Sequence, residues 1–313
     1  MNEPVLVVHG GAGELPESKT QAPGRKLYED GLAAALRAGQ EVLLAGKSAV
    51  DAVCAAVVAL EDNECFNAGK GAVLCADGRI ELSASVMDGR DRSVGAMVGL
   101  TRTRNPVLGA HAMMPHMHGL LYGAEADAYG ERNGLAMVSP DYFVTPLRRK
   151  QWERVRATGE VVLDHSAGAD AHGTVGAVAR DRNGSLAAAT STGGVVNQLA
   201  GRVGDTPVVG AGTWADDRSC ALSTTGKGDA FARVAFARRV ADLVELMDMS
   251  GEAAAMQTLE DVRLVGGEGG CILLMPDGRV VCPFNSAHML RGHVVGSAKP
   301  VVGILPGEEV VVS

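Results

Sequence analysis

The chain has 313 residues with 29 Lys+Arg against 37 Asp+Glu, and its formal charge of −8 gives nucleic-acid binding no electrostatic support. Hydrophobic residues at 46% and charged residues at 21% allow a sizeable core in one large domain or two small ones, but with aromatics at 4% and 41 Gly that core must be Ala, Val, Leu and Met at close spacing. No apolar run approaches the roughly 18 residues of a membrane span, Met1-Asn2-Glu3-Pro4 lacks the basic-then-apolar start of a signal peptide, and six cysteines (Cys54, Cys65, Cys75, Cys220, Cys271, Cys282) without a CxxC fit a cytoplasmic protein with free thiols.

Residues 4–8 are a short apolar run ending in the glycine loop His9-Gly10-Gly11-Ala12-Gly13, the pattern of a buried strand. Residues 24–45 carry helical spacing through Leu27, Leu32, Leu36 and Leu43, and Gly46 stands just past the end. Ser48 with Asp51 three residues on is a variant capping box, opening a helix that buries Val50, Val53, Val57 and Leu60. Asp77-Gly78, Asn183-Gly184 and Asp277-Gly278 predict two-residue hairpin turns. Residues 139–173, with Ser139-Pro140, Thr145-Pro146 and the run Arg148-Arg149-Lys150, read as a polar connector that is mobile near residues 166–170. Residues 228–247 predict one helix with Phe231, Val234, Val240 and Leu243 on one side. Strands and helices come in groups rather than in strict alternation, which argues for an α+β fold of packed sheets covered by helices.

The chemistry gathers in the second half. Thr174 follows Gly173 and opens a run of small and β-branched residues, as a hidden N-terminal nucleophile does before the chain is cut. In such enzymes the freed α-amine, with a reference pKa of about 7.7–8, is the base that activates the hydroxyl. Gly173, without a Cβ, permits the strained backbone needed when that hydroxyl attacks the preceding carbonyl. Thr190-Ser191-Thr192-Gly193-Gly194, Gly201-Arg202-Val203-Gly204-Asp205 and Thr224-Thr225-Gly226-Lys227-Gly228-Asp229 then supply hydroxyls, an Arg/Asp pair and a glycine-flanked turn. A guanidinium binds a carboxylate through two parallel hydrogen bonds, and Asp205 can receive an ammonium. The inventory suits hydrolysis of an amide beside a zwitterionic amino acid. Alone, each segment has a plainer reading: Thr174 a strand start, Thr192 and Thr224-Thr225-Gly226 tight turns, and Arg202 with Asp205 a solvated ion pair.

In this order the segments resemble the plant-type asparaginase and isoaspartyl peptidase family of N-terminal nucleophile hydrolases. Earlier segments extend the resemblance over nearly the whole chain: Val8-His9-Gly10-Gly11-Ala12-Gly13, Ser48-Ala49-Val50-Asp51-Ala52-Val53, Leu60-Glu61, Phe66-Asn67-Ala68-Gly69 and Val86-Met87-Asp88-Gly89. It implies a four-layer αββα sandwich, a single domain cut between Gly173 and Thr174 into parts 1–173 and 174–313, and a dimer of such cut units. The implied substrates are small molecules, isoaspartyl dipeptides and L-asparagine, with no catalytic cofactor.

By the same resemblance Thr192 bonds and tunes the nucleophile. Thr225 and Gly226 stabilise the oxyanion, and residues 202–205 and 225–228 line the substrate, with Asn67 nearby. A structural sodium ion would sit on main-chain carbonyls of Leu60, Glu61, Asn63, Phe66, Ala68 and Lys70. Lys227 departs from the family, where Thr, His or Asn is frequent, and a cation there would favour dipeptides over asparagine. A glycosylasparaginase would share the nucleophile and clamp but usually has Asp where His172-Gly173-Thr174 has Gly. A phosphate- or nucleotide-binding module would rest on the loop at His9 to Gly13, which lacks G-x-G-x-x-G spacing. Gly46-Lys47-Ser48 lacks the first P-loop glycine, His9-Gly10-Gly11 has no G-x-S-x-G to serve as an esterase loop, and His116-Met117-His118 has no ligand partner motif.

Overall fold

The computed structural model describes residues 2–158 and 173–312. Thirteen strands are seen among them: β1 (Val5–Gly13), β2 (Leu82–Asp88), β3 (Val94–Leu100), β4 (Leu120–Tyr122), β5 (Val175–Arg180), β6 (Leu186–Thr192), β7 (Thr213–Asp216), β8 (Cys220–Gly226), β9 (Gly269–Leu274), β10 (Val280–Val281), β11 (His288–Val295), β12 (Val301–Gly303) and β13 (Val310–Val311). The α-helices are α1 (Glu17–Thr20), α2 (Gly24–Leu44), α3 (Ala49–Glu61), α4 (Pro106–Met113), α5 (Gly123–Arg132), α6 (Pro146–Thr158), α7 (Gly228–Arg233), α8 (Phe236–Met247) and α9 (Gly251–Leu264). None of the described helices is long and apolar enough to cross a membrane.

The strands form two sheets, one of nine in the order β13-β12-β11-β1-β5-β6-β2-β3-β4 and one of four in the order β10-β9-β8-β7. Side chains alternate across the central strands, so each face of the large sheet feeds a different core. Leu6, Val8, Val175, Ala177 and Ala189 pack under α2, α3 and α4, while Val5, Val7, Val178 and Ala188 pack against the four-stranded sheet. That second core continues through Leu222 and Ile272 to Phe236, Val240 and Leu259 of α8 and α9. The chain is therefore α+β, with small apolar residues filling the space between close-set layers.

Local sequence accounts for most elements. Gly46, at φ +78°, follows α2. Ser48 Oγ accepts from the Asp51 N–H at 3.1 Å and Asp51 Oδ2 accepts from the Ser48 N–H at 3.3 Å, closing the capping box of α3. Three expectations are corrected. In the three X-Gly turns only the glycine has positive φ (Gly78 +84°, Gly184 +93°, Gly278 +92°), so they are not two-residue mirror-image turns. Each is a longer turn closed by a bond such as Gly184 N–H to Asp181 O at 3.0 Å, with glycine in the bulge position.

The predicted helix over 228–247 breaks at Ala235, φ 48°, because the first N–H groups of α8 bond the neighbouring loop instead: Ala237 to Ala211 O at 3.1 Å and Arg238 to Gly210 O at 2.8 Å. The connector reading fails for residues 139–158. Thr145 Oγ1 accepts from the Arg148 N–H at 3.2 Å, and Arg148, Gln151, Trp152 and Val155 share the buried face of α6. Arg148 is 1% exposed and donates through Nε to Gly71 O at 2.7 Å. The 166–170 part of that expectation lies outside the described residues.

Candidate active site

Thr174 immediately precedes β5, in the middle of the large sheet. The antiparallel register Val175↔Ser191 sets it opposite Thr192, the last residue of β6. The Thr174 hydroxyl donates to Thr192 Oγ1 at 3.0 Å, and the Gly194 N–H donates to the same oxygen at 3.0 Å. Thr174 is 8% exposed and lines a narrow cleft with Gly173, Thr192, Gly194, Arg202, Asp205, Gly226 and Gly228.

β8 faces this junction from the second sheet. Ser223 Oγ reaches His9 and Thr190 on the large sheet, so Thr225, two residues on, points the same way. Its Oγ1 is buried without a hydrogen-bond partner among the described residues. A Cβ on Gly173 would stand 2.8 Å from that oxygen, so the hydroxyl lies against the residue ahead of the nucleophile. Gly226, at φ +139°, lies so close to the Glu268 carbonyl that no side chain fits.

Arg202 and Asp205 both line the cleft, but they do not pair with each other. Asp205 is buried and accepts from the Thr224 hydroxyl at 2.5 Å. Burial raises its pKa above the ordinary carboxyl value, against the Thr224 hydrogen bond and the Arg202 charge. Arg202 instead bonds Asp229 Oδ2 at 2.7 Å and Gln198 Oε1 at 3.2 Å. Gly228 makes the room: its Cβ would stand 2.5 Å from Asp205 Oδ1 and 3.2 Å from Arg202 Nη2.

Three predicted contacts lie elsewhere. Val203 lines the neighbouring cavity rather than the cleft. Lys227 donates through Nζ to the Gly266 carbonyl at 2.9 Å, and only the glycines on either side of it line the cleft. Asn67 is fully buried behind the 193–194 turn, donating to Gly194 O at 2.7 Å and accepting from the Val73 N–H at 3.0 Å, so it braces the wall.

Beneath the cleft runs a buried polar line that local sequence does not announce. His9 Nε2 meets Ser223 Oγ at 2.8 Å, Ser223 meets Thr190 at 2.7 Å, Thr213 donates to Thr190 at 2.6 Å, and Ser85 donates to Thr213 at 2.7 Å. Burial pulls the His9 pKa down to about 3, against a backbone contact with Thr174, so the ring is neutral near pH 7. Glu61, also fully buried, accepts from the Ser191 hydroxyl at 2.7 Å and the Val107 N–H at 2.9 Å, and burial raises its pKa to about 8. Asp229 and this polar line are the functional candidates sequence reasoning missed; the carboxylate next to Gly228 was the one available signal.

Among the described residues no cluster of His, Cys, Asp and Glu side chains is set to hold a metal. The main-chain loop at 60–70 is a different kind of donor set. Its Leu60, Glu61 and Asn63 carbonyls accept the N–H groups of Asn63, Lys70 and Phe66 at 3.2, 2.7 and 3.2 Å, and Leu60 O also accepts from the Asp62 N–H. A Cβ on Gly71 would stand 2.5 Å from Glu64 O and 2.8 Å from Phe66 O. The Glu64 and Phe66 carbonyl oxygens thus lie close together at Gly71, and main-chain oxygens are the donor type that a hard cation takes.

The profile of the asparaginase family matches residues 2–304. An isoaspartyl peptidase of Salmonella typhimurium is 43% identical over 310 residues, covering 97% of this chain and 99% of the relative. One from Escherichia coli is 42% identical, covering 97% of each chain. An isoaspartyl peptidase/L-asparaginase of Rattus norvegicus is 41% identical over 288 residues, 91% of this chain and 84% of the relative.

Proposed function

The chain belongs to the asparaginase family, and from that premise we propose that it hydrolyses β-aspartyl (isoaspartyl) dipeptides and L-asparagine through an aspartyl ester on Thr174. The observation that carries this reading is the junction itself: Thr174 donates to Thr192, while the Thr225 hydroxyl, without a hydrogen-bond partner among the described residues, lies against Gly173. In the precursor, Thr174 Oγ attacks the Gly173 carbonyl carbon. The C–N bond breaks, and water hydrolyses the resulting ester, leaving Thr174 with a free α-amine.

That amine takes the hydroxyl proton in turnover. Oγ then attacks the substrate β-carbonyl carbon, Thr225 and the Gly226 N–H receive the oxyanion, and the departing amine leaves with a proton. Water releases aspartate. Arg202 holds the substrate α-carboxylate and Asp205 its ammonium. Thr192, touching the nucleophile, fixes the direction of its hydroxyl.

The stacking of helices, large sheet, small sheet and helices supports reading the fold as the four-layer αββα sandwich. We assign the 60–70 carbonyl loop to a sodium ion with a structural role, and the cut molecule to a dimer of two-chain units.

Incubation followed by denaturing electrophoresis and mass spectrometry tests the cut. Fragments of 173 and 140 residues are expected, with hydrolysis of both substrate types appearing as they form. A free N-terminus elsewhere, or activity in an uncut Thr174→Ala chain, overturns the assignment.

A further inference from the structure

Arg202 lines the cleft, and the two side chains it bonds among the described residues differ in kind. It donates through Nη2 to Asp229 at 2.7 Å, a carboxylate that is 67% exposed. It donates through Nη1 to Gln198 at 3.2 Å, a neutral amide that is 3% exposed. The neighbours settle which way that amide points. Oε1 accepts from groups that can only donate, Arg202 Nη1 and the Val195 N–H at 3.0 Å, while Nε2 donates to Cys75 Sγ at 3.6 Å. Gly194, at φ +84°, leaves the space, since a Cβ there would strike Gln198 Oε1. The main chain beside the amide is pinned as well: the Asn197 N–H donates to Leu74 O at 2.9 Å, and the Ala76 N–H to Gln198 O at 2.8 Å.

We propose that Gln198 is the positioning residue for Arg202, a neutral acceptor that aims the guanidinium at the substrate's α-carboxylate without cancelling its charge. The inference rests on the peptidase reading above. An incoming carboxylate needs guanidinium N–H groups, and it can replace the exposed carboxylate of Asp229 like for like. The buried amide keeps its hold on Nη1 through that exchange. Its neutrality matters, because a buried carboxylate in its place would pair with Arg202 and compete with the substrate where charges are poorly screened. Gln198 acts on Arg202 rather than on the nucleophile. The 193–194 turn, which feeds the Gly194 N–H to Thr192, is held separately by Asn67: the Gly193 N–H donates to Asn67 O at 3.1 Å, and Asn67 Nδ2 to Gly194 O at 2.7 Å.

The test measures kcat and KM on asparagine and on β-aspartyl-leucine, after processing, for wild type, Gln198→Met, Gln198→Glu, Arg202→Ala and Arg202→Ala/Gln198→Met. Methionine keeps the volume and removes the acceptor. Gln198→Met should raise KM about tenfold and leave kcat within about twofold of wild type. The factor should be the same on both substrates, since both carry the aspartyl α-carboxylate. Gln198→Glu keeps the contact but adds a charge, and should raise KM at least as much. In the Arg202→Ala background Gln198→Met should change kcat/KM by less than about twofold, because a residue that acts through Arg202 then has nothing to act on. A wild-type KM in Gln198→Met or Gln198→Glu overturns the proposal, as does an additive loss in the double variant. A fall in kcat or a failure to self-cleave in Gln198→Met also overturns it, by making the amide a brace for the Thr192 turn. So does an effect confined to the dipeptide, which would set Gln198 against the departing residue. Failure of the peptidase reading itself looks different: the wild type then hydrolyses neither substrate.

Discussion

Thr225→Val separates what the active site does from what holds the fold together. The Thr225 side chain is wholly buried and its oxygen has no hydrogen-bond partner among the described residues. Valine keeps the shape and removes only that oxygen's polarity. A buried hydroxyl left unpaired costs about 1–3 kcal/mol, so the variant should be more stable by about 1 kcal/mol, a rise in Tm of roughly 2 °C for a chain of this size. Its effect on turnover has the opposite sign. One oxyanion donor is worth about 3 kcal/mol, close to a 150-fold loss in kcat.

Because the same hydroxyl lies against Gly173, self-cleavage should slow by a comparable factor. The variant is therefore incubated until electrophoresis shows complete processing, and its Tm by calorimetry and kcat on a β-aspartyl dipeptide are then measured together. A variant that melts lower and turns over at the wild-type rate would refute the reasoning, since it would make the hydroxyl a structural group.

Arg202→Ala should raise KM and lower kcat/KM by about 2–5 kcal/mol, the range for stripping the partner from a buried charged ligand; kinetics on asparagine and one dipeptide check it. Asp229→Asn should weaken binding by no more than about 1 kcal/mol, and less in salt, because Asp229 is 67% exposed while Arg202 is held a second time by Gln198. Lys227→Thr should leave the dipeptide-to-asparagine ratio unchanged even at low salt, since the ammonium is on the Gly266 carbonyl. His9 sets a pH dependence of stability. The unfolded chain protonates His9 below its ordinary value of about 6.5, whereas the folded one resists until about 3, so the unfolded state binds more protons in between. Stability should fall by up to about 1.4 kcal/mol per pH unit as pH drops below about 6.5. Urea melts of wild type and His9→Gln across pH 4–7 would show a shallower slope in the variant.

Local signals were legible where neighbours in sequence are neighbours in space. The Ser48/Asp51 box and the end of α2 at Gly46 depend on contacts within a few residues, and the fold keeps them, whereas the glycine loop expected at residues 9–13 is instead the continuation of β1, paired to β11 as far as Gly13. Thr174, Thr192 and Thr225 come together because strand register carries their spacing across two sheets. The X-Gly turns fail through local bonding, each closed by a bond such as Gly184 N–H to Asp181 O, while the other failures share one physical form, a long-range partner replacing a local one. Ala235 turns left-handed to hand its helix to the 210–211 carbonyls, and Arg148 leaves solvent for Gly71 O. Lys227 likewise bends to a carbonyl 39 residues away, which no reading of its neighbours supplies.

The strand order also has a consequence for how a cut molecule behaves on dilution. β1, from the part before Thr174, is hydrogen-bonded between β11 and β5, both from the part after it, while β6 passes back to β2. Neither chain could depart without tearing open the middle of the large sheet. A molecule cut before Thr174 would hold its two pieces independently of concentration, as though still covalently joined. Partners would not be exchanged between molecules, so cut variants mixed with wild type would remain separate populations. Separately made halves would have to fold around each other, because neither carries a complete sheet to dock.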